Sequence, residues 1–153
     1  MKTRLLTTVL AVLVAFCGAN FTVLTAASHE DHHGDHTLLG EQMETISKAF
    51  RSLRRQAKDA SKNAESAALA GKMHKAAMEA IKHDPAWTED QPAGEQAAFV
   101  KGFKKQMETF IAALADLEKA FKSGDNAKAE VIIGELRDLQ KEGHKAYKAP
   151  EEE

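Results

Sequence analysis

Cysteine is all but missing: the 153-residue chain holds one, Cys17, inside a leader that reads as removable. Without it the chain has no disulfide, thiolate metal site, iron–sulfur cluster or cysteine nucleophile. It also has no covalently attached c-type haem, which needs Cys-x-x-Cys-His. Charge of one sign is scarce as well. Removing residues 1–27 takes Lys2 and Arg4 and no acid, so 19 Lys and Arg remain of 21, against 23 acids. A mature charge of about −4 offers nothing to nucleic acid. Strand signals are absent, with no period-2 run after the leader. No Gly-rich phosphate loop, no serine–histidine–acid arrangement and no Glu-x-x-His pair of the di-iron bundles occurs, so the sequence does not read as an enzyme.

What is present begins with a three-part leader. Lys2 and Arg4 give a positive start, Leu5 to Leu24 form an uncharged apolar run, and Thr25, Ala26 and Ala27 provide the small residues of a cleavage site. The run is nearly long enough to span a bilayer, but Gly18, Asn20 and the small-residue exit favour a cleaved signal peptide over residues 1–27. A lipidated Cys17 is disfavoured by the bulky Phe16 before it. Residues 28–37 hold four histidines and three acids with no apolar residue, the composition of a disordered tail. His29, His32, His33 and His36 are candidate ligands there for copper, nickel or zinc; the alternative is a solvated leader that eases export.

Residues 38–149 carry helical periodicity and 150–153 are an acidic tail. In the first helix Leu39, Met43, Ile46, Phe50, Leu53 and Ala57 step by threes and fours, a heptad-like seam. Its end blurs near Asp59 to Asn63. The second helix, from about Asn63 to Lys82, buries Ala67, Leu69, Met73, Ala76, Ala77, Ala80 and Ile81, and so much alanine implies a close helix approach. His83-Asp84-Pro85 stops it, and a loop broken by Pro85, Pro92 and Gly94 follows, with Trp87 expected to fold back over the bundle end. The third helix, about Glu95 to Lys122, carries Phe99, Phe103, Met107, Phe110, Leu114, Leu117 and Phe121. Gly124 ends it and Asp125 caps the fourth, about Asn126 to Lys148. Short connections at both hairpins make antiparallel neighbours. The expected fold is all-α, an antiparallel up-down-up-down four-helix bundle.

Such bundles build cofactor sites from side chains on facing helices. Met43 lies near the start of the first helix and His144 near the end of the last, at the same end of the bundle. At roughly 1.5 Å per residue, Met43 sits about 7 Å in and His144 about 6 Å in, so they are level. Methionine and histidine together ligate six-coordinate electron-transfer haem. Gly143 interrupts a helix at a cost near 1 kcal/mol, which the close approach of a flat macrocycle would explain. Tyr147 can flank the ring, and Lys141, Lys145 and Lys148 could meet propionates. Each residue also has a plainer reading: Met43 as core filler, His144 as a partner of the helix dipole. His83, at the same end, is an alternative ligand or a helix-end cap. His74 reads as a surface residue, and Met73, Met78 and Met107 as core or groove fillers.

The segments LGEQMETISKAF, at Leu39 to Phe50, and LQKEGHKAYK, at Leu139 to Lys148, resemble the two ligand-bearing ends of the cytochrome b562 family, and AAFVKGF in the third helix is similar too. The resemblance covers about residues 38 to 148. Gly143 and Gln140 depart from its aromatic and arginine near the histidine, and the His-rich tail is extra. The resemblance implies a periplasmic, monomeric b-type cytochrome that holds haem b non-covalently between Met43 and His144. It would pass single electrons to a redox partner protein, with no nucleic acid and no membrane contact once the leader is cleaved. The other expectation is a haem-free exported bundle that binds divalent metal through its tail or docks a partner protein.

Overall fold

The structure, a computed structural model, describes residues 37–149. The leader, the His-rich tail up to His36 and the segment from Pro150 onward lie outside the described residues.

Four helices make up the described chain: α1 (Leu38–Gln56), α2 (Asn63–Ala80), α3 (Gln96–Ser123) and α4 (Asn126–Tyr147). Local chemistry sets their ends. The Thr37 hydroxyl accepts from the Gly40 N–H at 3.1 Å and starts α1. The blurred stretch after α1 is a short 3-10 turn, Ala60–Lys62. The Asp59 carboxylate orders it by accepting from the Ser61 N–H at 2.9 Å and from its hydroxyl at 2.6 Å. Gly124, at φ 75°, closes α3 in the left-handed region where a Cβ is strained. Asp125 follows, and its carboxylate accepts from the Lys128 N–H at 3.0 Å to start α4.

Each helix packs along the next, α1 on α2, α2 on α3 and α3 on α4, while α1 and α4 make no comparably extensive contact. The bundle is antiparallel and up-down-up-down, the order that the short α1–α2 and α3–α4 connections favour. Leu53, Leu114, Leu117, Phe121 and Leu136 fill its centre and are essentially inaccessible to water. From α2 come Ala67, Ala70, Met73, Ala76, Ala77 and Ala80, and these small side chains let α1 and α3 approach it closely. Met78 departs from its reading as a filler, being 47% exposed. Its position falls outside the alanine stripe, so it turns to solvent.

The end where α1 and α3 finish is laced by polar groups. Asn63 and Asn126 exchange side-chain hydrogen bonds, each amide donating to the other's oxygen at 2.9 Å. Asn126 also donates to the Ala57 carbonyl at 3.0 Å. Above this, the buried Ser66 hydroxyl accepts from Gln56 at 3.1 Å, which satisfies a group that would otherwise be costly to bury. None of the described helices is long and apolar enough to cross a membrane.

Candidate functional site

The laced end fixes the register of α1 against α4, and from it the opposite end can be located. Asn126 turns toward α1, since it reaches the Ala57 carbonyl. His144 lies about five turns further along α4 at 3.6 residues per turn, which returns it to the same face. Met43 lies two heptads before Ala57 on the buried seam of α1, half-buried and packed against the core. Counting up both helices from the Asn126–Ala57 bond and from the Lys58–Glu130 ion pair (3.2 Å) puts Met43 opposite positions from Gln140 to Lys145. His144 falls within that range. By this count the two residues lie at the same end of the bundle, on helices that make no extensive contact with each other.

His144 itself is exposed. The protein that covers part of it pushes its pKa below the ordinary histidine value, and the positive charge of Lys148 pushes the same way. Both effects favour neutral imidazole, the form that presents a lone pair to a metal. Lys141 and Lys145 lie exposed on the same stretch of α4, and Lys148, also exposed, caps its end.

Tyr147 and Gly143 turn elsewhere than the sequence suggested. Tyr147 leans onto α3, with its ring edge-on to Phe99 (centroids 5.1 Å apart) and to Phe103 (5.5 Å). Trp87 meets the other side of Phe99 edge-on at 5.9 Å, so the loop does fold back over the bundle end. Four aromatic rings thus form a continuous wall from the α2–α3 loop across α3 to the last turn of α4. A Cβ at Gly143 would meet the Gln106 side chain of α3 at 3.4 Å, an ordinary contact. Gln106 is held there by donating to the Leu139 carbonyl at 3.0 Å. The open side of Gly143 therefore faces α3 and not the α1–α4 cleft.

His83 is half-buried at the same end, just past α2, where its backbone N–H donates to the Ala80 carbonyl at 3.1 Å. The neighbouring Asp84 pairs with Lys104 at 3.0 Å. His74 stands half-buried in the groove between α2 and α3. Among the described residues no group of three or more His, Cys, Asp or Glu could hold a metal ion. His29, His32 and His33, like His36, lie outside the described residues.

The residues fit a flat, apolar macrocycle with a polar rim. By count along the helices a half-buried thioether and a neutral-leaning imidazole lie at the same end of the bundle, on two helices without extensive mutual contact, and exposed lysines lie near the imidazole. Sequence reasoning missed the part of Gly102, whose missing side chain receives the Tyr147 hydroxyl. The only signal was a glycine in the middle of a strong helix.

Four-helix bundles of this kind include helical haem carriers. Residues 38–148 match the cytochrome b562 family, and the chain belongs to that family of b-type haem electron-carrying bundles. No curated protein matches the chain.

Proposed function

We propose that the protein is a periplasmic electron carrier that holds haem b non-covalently, with Met43 and His144 as the two axial ligands. What supports this reading is the count along α1 and α4 that brings Met43 and His144 level at one end of the bundle, together with the family match over residues 38–148. Bound haem would supply a one-electron couple. Met43 offers a neutral, soft thioether that favours ferrous iron, and His144 offers the stronger donor. Two protein ligands leave no open position for oxygen chemistry, which suits a carrier and not an oxidase. Phe99, Phe103, Tyr147 and Trp87 brace the α3 side of this end of the bundle, and Lys141, Lys145 and Lys148 can receive the acidic edge of the macrocycle. The leader and the cysteine-free mature chain support export. The carrier works as a monomer that meets its redox partner protein at this end.

Absorption spectra of ligand variants test the assignment. Met43→Ala should retain haem through His144 but turn at least partly high-spin, with a lower potential. His144→Ala should lose haem far more readily. If Met43 were only core filler, Met43→Ala would cost at most about 2–5 kcal/mol of stability without spectral change. Unchanged spectra in both variants would end the Met43/His144 assignment and turn attention to His83.

A further inference from the structure

We propose that Gly102 is a positioning residue. By leaving out a side chain it makes a seat for the Tyr147 hydroxyl, and that seat holds the last turn of α4, the turn that carries His144, against α3. The proposal rests on His144 being a haem ligand. Helix ends fray because their terminal carbonyls lack partners, and α4 has little to prevent it. Its buried residues are Ala129, Ile132 and Leu136, all in the earlier part of the helix. Beyond Leu136, Tyr147 is the one hydrophobic residue of α4 packed against the core cluster. The terminal hydrogen bond, from the Lys148 N–H to the His144 carbonyl at 3.1 Å, spans the turn between ligand and anchor. A Cβ on Gly102 would stand 2.7 Å from the Tyr147 hydroxyl oxygen, closer than packed atoms tolerate. The ring cannot slide away easily, because Phe99 and Phe103 hold it edge-on from two sides. Glycine in the interior of α3 weakens that helix relative to alanine, and the seat is what the weakness gains.

The sign of one substitution separates the two possibilities. If the seat is idle, Gly102→Ala improves helix propensity and the haem-free protein melts higher. If the seat is used, Gly102→Ala expels Tyr147 and frees the end of α4. Amide hydrogen exchange on the haem-free protein should then quicken at least tenfold at Lys148, with amides around Leu114 unchanged, and the loaded protein should release haem at least fivefold faster. Adding Tyr147→Phe removes the clashing oxygen but keeps the ring. The double variant should recover most of both changes, with Tyr147→Phe alone as its baseline. Tyr147→Ala, which keeps Gly102 and deletes the anchor, should free the same amides even if Gly102→Ala fails to fold.

Wild-type exchange in Gly102→Ala, in a chain that binds haem normally, overturns this proposal and leaves the ligand assignment standing. Faster exchange with unaltered haem release overturns it too, since the anchor would then not serve the ligand. A wild-type chain that takes up no haem sinks the ligand assignment, and this role falls with it.

Discussion

His144 has to stay unprotonated to bind a metal, and its surroundings act on that one proton. Partial burial lowers its pKa from the ordinary 6.5, and Lys148 adds a smaller push in the same direction. The unfolded chain keeps the ordinary value and so takes up the proton more readily than the folded one. Stability from this group is therefore full above about pH 6.5 and is lost as pH falls from there through the folded pKa. The haem-free wild type should accordingly lose more stability between neutral pH and pH 5 than His144→Gln, measured by urea denaturation at each pH. Lys148→Gln should raise the His144 pKa in an NMR titration, but by less than its full displacement, because burial is the larger cause. A titration at or above 6.5 in the wild type would contradict this account. The same displacement keeps the imidazole available at lower pH. For the candidate site, the shared level of Met43 and His144 was legible in the sequence because helix length and antiparallel order set it. The orientation of Tyr147 was not, since it depends on a vacancy at Gly102 on a different helix.

Among the elements, the two hairpins carry the polar detail that sets the bundle's register. Asn126 sits in the first turn of α4 and makes three hydrogen bonds, giving two and receiving one. Asn126→Asp keeps the shape but loses both donated bonds, leaving the Ala57 carbonyl unpaired and the Asn63 oxygen facing a carboxylate. An unsatisfied, partly buried group costs about 1–3 kcal/mol. The new charge near a helix N-terminus returns only about 0.3–1 kcal/mol, so the loss wins. Urea denaturation should show a net destabilisation of about 1–2 kcal/mol with an unchanged slope. A variant as stable as wild type would mean that the amide pair is a surface ornament. These bonds explain why the elements were readable and their lacing was not. The seam of α1 and the aromatic run of α3 repeat within each helix, so periodicity alone exposes Leu53, Leu114 and Phe121 as core. Asn63 with Asn126, or Ser66 with Gln56, are pairs of residues from different elements, and no local pattern announces them. Met78 was misread for a related reason: a hydrophobic residue on an alanine-rich helix carries no mark of which side it takes.

On the scale of the whole molecule the bundle is asymmetric. One end is tied by amides across α1, α2 and α4, while at the other the last turn of α4 rests on a single tyrosine, and α1 and α4 make no extensive contact along their length. The proposed ligands sit at that second end, on the first and last helices, so only the folded chain brings them together. A ligand that binds the folded state and not the unfolded one stabilises by mass action, about 2.7 kcal/mol at a hundredfold excess over its dissociation constant. For a bundle of this size that corresponds to a rise in melting temperature on the order of 10 °C. Haem should therefore raise the melting temperature steadily with concentration. His144→Ala should lose most of that rise, while a chain lacking residues 28–37 should keep all of it, because both proposed ligands lie on the bundle helices. Calorimetry across a haem series checks each arm. A melting temperature indifferent to haem would mean that the unfolded chain binds it equally well, or that the bundle does not bind it. Loss of the rise on deleting the tail would place a tail histidine on the iron in place of Met43 or His144.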